Sequence, residues 1–210
     1  MTYPTLRTND GWEIYPLFAK PVCTHHVGDE MCLDLQEMAL QCEWIEDDGT
    51  DGCNGALTKK KNVLEMNQEV KQRLHDIVLD YVIRTMGYLC DIQFTTSWFA
   101  RTYEHGFCQE HMHSNSWFSG IVYFGEYDEK SSDIQFVEST PHSVYVQTME
   151  YNFFNSFSWN IKPEHGLIMM FPSDLRHRVL RNKSEWTRNA LVFNVMPKGE
   201  VGIQDSTFQY

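Results

Sequence analysis

The sequence predicts a mainly β fold with N-terminal helices: a β-barrel or sandwich with the helices packed outside it. Three observations predict it. Helical periodicity is found only ahead of residue 92, and short apolar runs separated by turn formers follow it. Aromatic residues make up 14% of the chain, a share that favours strands.

In chain order, Met31–Trp44 places Met31, Leu33, Leu35, Met38, Ala39 and Cys42 in a passable helical stripe. The stretch 46–61, EDDGTDGCNGALTKKK, is dense in Gly, Asp and Lys and reads as an exposed loop. Val63–Met86 is the clearest helix: Val70, Leu74, Ile77, Val78, Tyr81 and Val82 recur at spacings of three and four, and Gly87 supplies the stop. Strand-like runs follow at Gln93–Arg101, Gly120–Gly125, Asp133–Val137, Val144–Thr148, Leu167–Phe171 and Ala190–Val195. The turn-forming segments EYDEKSSD, STPHS, KPEHG and RNKSE separate them.

The 210 residues suit a single domain at roughly 100–200 residues each. There is no repeat, low-complexity tract or Pro/Ser-rich linker. The net charge of −12 argues against a duplex DNA partner, which draws on clustered basic charge. No apolar run approaches the roughly 20 residues of a membrane span, and the N-terminus lacks a signal-peptide layout, so a cytoplasmic location is expected. Six cysteines at wide spacing, with no CxxC, are read as reduced thiols. Cys23, His25 and His26 form a rival metal group, but a loop with chance neighbours explains them as well.

The densest group of candidate ligands is Glu110-His111-Met112-His113-Ser114-Asn115. On an extended strand, residues two apart share a face, so His111 and His113 can converge on one metal. A lone HxH is weak, since most such pairs bind nothing. A third histidine, His177, follows the buried run Leu167–Phe171 and suits the remaining ligand position. His177 and Arg188 flank RNKSE, with their midpoint between Asn182 and Lys183. A symmetric hairpin would place the two side chains on one face, about 5 Å apart at Cβ. A metal beside a guanidinium can hold a chelating dicarboxylate by both ends.

These motifs together resemble the 2-oxoglutarate/Fe(II)-dependent oxygenases, in a prolyl-hydroxylase-like branch found in marine bacteria and their phages. The segments that carry the resemblance are Leu17–Val22 as an early strand, Ser97-Trp98, His111–Ser116 running into Ser119-Gly120-Ile121-Val122-Tyr123, Gly166–His177, and Arg188–Asn194. It covers nearly the whole chain after residue 12. It implies a double-stranded β-helix (cupin-like jelly roll) with α-helices packed outside. Residues 12–90 would be N-terminal strand and helical support, 91–197 the jelly-roll core and 198–210 a C-terminal tail. It further implies Fe(II), the co-substrate 2-oxoglutarate and O2, with hydroxylation of a prime substrate and release of succinate and CO2.

The usual iron face is two His and one carboxylate. Here His113 stands at the carboxylate position, giving His111, His113 and His177 as metal ligands and catalytic residues. A register shifted by two residues would use His113 and Asn115 instead, although an amide is a poor iron ligand. Arg188, Tyr123 and Asn194 are the implied co-substrate residues, and a core role for Tyr123 stays open. Trp98, Trp117 and Trp159 either wall the site or pack, and His105, His142 and His165 stand outside it.

Two readings follow. In the first, the chain is an oxygenase acting on a protein or peptide side chain, or else on a small metabolite. In the second, it is a cupin-like metal- or acid-binding protein without oxidative decarboxylation. A structural phage protein that merely uses the jelly roll would bind no iron tightly. The N-terminal helices serve substrate choice or a homodimer contact.

Overall fold

The computed structural model describes residues 6–7, 11–47, 53–138, 144 and 146–209. Eleven strands form two antiparallel sheets: β1 (Cys23–His26), β2 (Trp44–Glu46), β3 (Gly55–Thr58), β4 (Asp91–Thr102), β5 (Cys108–His111), β6 (Phe118–Tyr123), β7 (Ile134–Val137), β8 (Ser158–Ile161), β9 (Leu167–Pro172), β10 (His177–Val179) and β11 (Arg188–Lys198). The larger sheet runs β1-β9-β6-β11-β4-β3-β2 and the smaller β8-β7-β10-β5. From β4 to β7, and again from β8 to β11, each strand lies in the opposite sheet to the one before it. That alternation is a double-stranded β-helix. Short two-stranded ribbons pair Leu6–Arg7 with Glu13–Ile14 and Glu200–Val201 with Phe208–Gln209.

The central strands of the larger sheet are buried on both faces, which is why their sequences are continuous apolar runs rather than alternating ones. On β9, Ile168 and Met170 join the outer core while Leu167, Met169 and Phe171 join the core between the sheets. The same alternation places Val122 outward and Ile121 and Tyr123 inward on β6. Two helices cover the outer face, α1 (Asp29–Leu40) and α2 (Gln68–Asp80). They contribute Met31, Leu35, Leu74 and Val78 to the outer core, against Phe99, Leu191 and Phe193 of the sheet. Gly120 is required here: a Cβ at that position would lie 2.1 Å from the Phe193 ring. No helix among the described residues is long and apolar enough to cross a membrane.

The long helical segment is more broken than its periodicity predicts. Val63–Met66 is a 3₁₀ turn, and Asn67, with φ of −141°, then starts α2 by accepting the Glu69 and Val70 amides at 3.1 and 3.2 Å. A π turn, Tyr81–Thr85, follows, and Gly87 at φ 74° ends the run. The first helix ends at Leu40, and Trp44 already belongs to β2.

The expected loop 46–61 contains β3, paired with β2 and β4. Its glycine is there for strand contact, since a Cβ on Gly55 would meet the Arg101 carbonyl oxygen at 2.4 Å. Residues 48–52 lie outside the described residues. The early strand expected over Leu17–Val22 lies later, at Cys23–His26, where it pairs with β9. Of Val144–Thr148, Tyr145 lies outside the described residues and the others form no strand; β8 at Ser158–Ile161 pairs with β7 instead. His142 also lies outside the described residues. None of the six cysteines is in a disulfide.

The hairpin expected around residues 181–185 does not form. His177 pairs with His111 on one side and Phe136 on the other, in the smaller sheet, whereas Arg188 pairs with Thr102 in the larger one. Asn182, expected beside the hairpin tip, is instead fully buried at the crossing between sheets. Its backbone exchanges hydrogen bonds with His105 N–H and Gly106 C=O, and its amide nitrogen donates to the Trp186 carbonyl at 3.0 Å. Its Oδ1 accepts the Ser132 amide at 3.2 Å. A turn formed of polar residues reads as an exposed hairpin in sequence; buried satisfaction of its backbone makes it a crossover.

Candidate metal centre

A cavity of about 470 Å³ opens between the two sheets and the β2–β3 hairpin. At one end His111 closes β5, His113 follows just beyond it, and His177 begins β10. One nitrogen from each imidazole lies within 4.8 Å of the others. Among the described residues they form the one group of His, Cys, Asp or Glu that could hold a metal, so Cys23, His25 and His26 do not assemble a second. The convergence owes less to strand alternation than expected, because His113 is past the end of β5 and is fixed by its amide donating to the Ser173 carbonyl at 2.9 Å.

Each ring is held through Nδ1. In His111 that nitrogen lies 2.8 Å from the Gln109 carbonyl, and in His177 it lies 2.9 Å from the Leu175 carbonyl. A carbonyl only accepts, so both rings carry a proton on Nδ1, and in the neutral form Nε2 keeps its lone pair. In His113, Nδ1 lies 2.6 Å from Asn194 Oδ1 and 2.8 Å from Ser119 Oγ. Burial pushes the His177 imidazole down to about 3, with the neighbouring histidines and Arg188 acting in the same direction. Burial also lowers His113. Both rings are therefore neutral near pH 7, the form in which imidazole binds metals.

Arg188 lies in the wall of the same cavity and is 3% exposed. Its Nε donates to the Ser132 carbonyl at 3.2 Å and its Nη2 to the Tyr123 hydroxyl at 2.7 Å, with the guanidinium 4.8 Å from the Tyr123 ring centre. No described carboxylate comes within ion-pair distance of it. Tyr123 is fully buried, which raises its pKa, and its phenolic proton has no acceptor among the described residues. The Ser132 hydroxyl is buried without a partner. A buried charge without a counter-ion is costly unless a ligand satisfies it.

The other sequence candidates separate cleanly. Asn115 has φ of 55°, is exposed and does not line the cavity, so the register that used it as a ligand is not supported. Asn194 does not line the cavity either; its amide is turned to His113, Ser119 and Thr96. Trp98 walls the cavity, Trp117 packs on Tyr88 and Phe118, and Trp159 stacks on Phe153 at the surface. Sequence reasoning missed Ser119, Thr96 and Ser132. The first two sit directly across from Asn194 on neighbouring strands, a cross-strand signal that only the register reveals.

Residues 96–194 match the family model described as "Putative 2OG-Fe(II) oxygenase". No protein of curated function is similar enough in sequence to match. Several solved structures share the fold. The carbocyclase SnoK of nogalamycin biosynthesis, non-heme and α-ketoglutarate dependent, is 9% identical with a TM-score of 0.63, covering 89% of this chain and 85% of its own. HygX from Streptomyces hygroscopicus, with nickel and 2-oxoglutarate bound, is 10% identical with a TM-score of 0.58, covering 85% and 83%. A prolyl-4-hydroxylase from Pseudomonas putida is 11% identical with a TM-score of 0.54, covering 85% and 95%.

Proposed function

From the match of residues 96–194 to the 2OG-Fe(II) oxygenase family model, we propose a dioxygenase that hydroxylates a prime substrate with release of succinate and CO2. His111, His113 and His177 hold ferrous iron, and Arg188 with Tyr123 holds the far carboxylate of 2-oxoglutarate. The observation that carries this reading is the buried guanidinium of Arg188, without a counter-ion among the described residues, in the wall of the cavity that the three imidazoles close. The donor set fits the metal: three imidazoles, two of them held neutral by burial, at a spacing that one ion can bridge. When bound, the iron supplies dioxygen activation, coupling decarboxylation of the co-substrate to oxidation of a substrate C–H bond.

The chain's own residues do the rest. Arg188 offers a planar fork to a carboxylate, and its Nη1 has no competing hydrogen-bond partner among the described residues. Tyr123 accepts from that fork and is left with a proton to donate to the same carboxylate. Ile121, Ile134, Val179 and Val192 line the cavity between the two ends and exclude water, which strengthens both interactions. Trp98 and the β2–β3 hairpin also line the cavity, and in this reading a substrate side chain enters beside them. A protein or peptide side chain is the proposed prime substrate, and a small metabolite is the second choice. In this reading residues 91–197 are the working core and residues 12–90 its support.

The test is succinate formation from 2-oxoglutarate by purified protein under air. Slow, Fe(II)-dependent turnover without prime substrate is expected. No succinate above a metal-free control, across peptide and small-molecule candidates, would overturn the oxygenase reading.

A further inference from the structure

We propose that Asn194 is a positioning residue that sets the tautomer of His113, and that Thr96 sets the orientation of Asn194. The inference deepens the reading above, since it matters most if His113 is a ligand. Two of the three histidines are keyed by backbone carbonyls, which cannot reverse roles. His113 is keyed by a side-chain amide, which can. With Oδ1 toward the ring, Nδ1 must carry the proton and Nε2 is free for a metal. With the amide turned over, its NH2 would face the ring, the proton would move to Nε2, and the lone pair needed for metal would be lost.

Three strands supply what holds the amide in the productive sense. Thr96, Asn194 and Ser119 lie directly across from one another on β4, β11 and β6. Asn194 Nδ2 donates to Thr96 Oγ1 at 2.8 Å, which points Oδ1 the other way, toward Ser119 Oγ at 2.8 Å and His113 Nδ1 at 2.6 Å. A serine relay fixes the remaining protons. Ser116 donates to the Phe118 carbonyl at 2.9 Å, and Ser173 donates to Ser116 at 2.9 Å. Ser119 then donates to Ser173 or to Asn194 Oδ1, each 2.8 Å away. With its proton given to either, the Ser119 oxygen, 2.8 Å from His113 Nδ1, accepts from that nitrogen alongside Asn194 Oδ1. Ser119 and Ser173 are both fully or nearly fully buried, so water does not scramble the relay.

Three variants test this without turnover: Asn194→Ala, Asn194→Asp and Thr96→Val. Long-range ¹H–¹⁵N correlation NMR on metal-free protein reads the His113 tautomer, and anaerobic Co(II) titration reads affinity. The parent should show His113 protonated on Nδ1. Asn194→Ala should raise the Nε2-protonated fraction and weaken Co(II) by roughly 10–100-fold, the scale on which ligand-orienting partners act. Asn194→Asp can only accept, so it should keep the parental tautomer and affinity. Thr96→Val keeps the shape but removes the lock, and should shift the tautomer and affinity in the same direction by less. The proposal is overturned if Asn194→Ala and Thr96→Val both leave tautomer and affinity unchanged, or if Asn194→Asp behaves like Asn194→Ala. Should Asn194→Ala not fold, Thr96→Val alone decides by the same two readouts. A protein that makes no succinate but shows these shifts would sink the oxygenase reading and leave the role of Asn194 intact.

Discussion

The two ends of the cavity are built on opposite electrical principles. At the histidine end burial disfavours the charged form of His113 and His177, and each of the three Nδ1 atoms already has a partner. The Arg188 end is charged, buried and left with unspent donors on Arg188 and Tyr123. A neutral face of lone pairs is complementary to a cation, and a desolvated guanidinium to an anion. Their supports differ too. His111 and His177 are keyed by carbonyls two residues back in their own chain segments, whereas Arg188 leans on Ser132, ahead of β7, and on Tyr123 of β6. The metal end should therefore be lost one residue at a time, and the anion end should fail separately from it.

The largest effect is expected from His177→Ala. It should weaken metal by more than the roughly hundredfold that orienting partners control, and remove 2-oxoglutarate binding with it. Anaerobic calorimetry with Fe(II) reads both, and a loss below tenfold would take His177 out of the face. Arg188→Met should cut the two ends apart: metal affinity unchanged, 2-oxoglutarate affinity down by roughly a hundredfold, equivalent to about 2.7 kcal/mol. Arg188→Lys should recover only part, since an ammonium lacks the fork. Equal binding by Arg188→Met and parent, seen in the iron–2-oxoglutarate charge-transfer band, would leave the charged end without its assigned purpose.

The acid response sharpens the contrast from the histidine side. Burial holds His177 near 3 in the folded metal-free protein, while an unfolded histidine titrates near 6.5. Between those values the unfolded chain binds the extra proton, so stability is full above about pH 6.5 and falls as pH drops toward 3. His177 alone should contribute a slope of about 1.4 kcal/mol per pH unit inside that window. Urea melts of parent and His177→Gln at several pH values would show it, and identical slopes would argue that the ring is not held neutral. The smallest effect concerns Asn115: His113→Ala should impair metal binding and Asn115→Ala should leave it alone. The reverse order would restore the shifted register.

Most of the larger sheet was legible because its strands are long, apolar on both faces and bounded by turn residues, as in Leu167–Pro172. Of the smaller sheet only β7 was, within the run Asp133–Val137. Its strands β5, β8 and β10 are three or four residues long and carry His, Arg, Gln and Asn, so no periodicity develops. Arg188 was placed beside His177 through a pairing that does not exist: it lines the cavity from the larger sheet, and His177 from the smaller. Chemistry picked the residue where geometry had misplaced it. Asn194 shows the converse. Its position on β11 was foreseen, but its job depends on Ser119 and Thr96, partners 75 and 98 residues away.

Asn182 gives the molecule a property best described as metrology. One buried side chain sits where the strand leaving His177 crosses to the strand beginning at Arg188, and its Oδ1 holds the amide of the same Ser132 whose carbonyl receives Arg188. The span between imidazole cluster and guanidinium is thus set by a short, fully bonded joint rather than by a slack surface loop. A molecule gripped at both ends is measured by that span, much as a part is measured between the jaws of a caliper. Diacids that differ by a single methylene would fit or fail by length before any difference in charge could be felt.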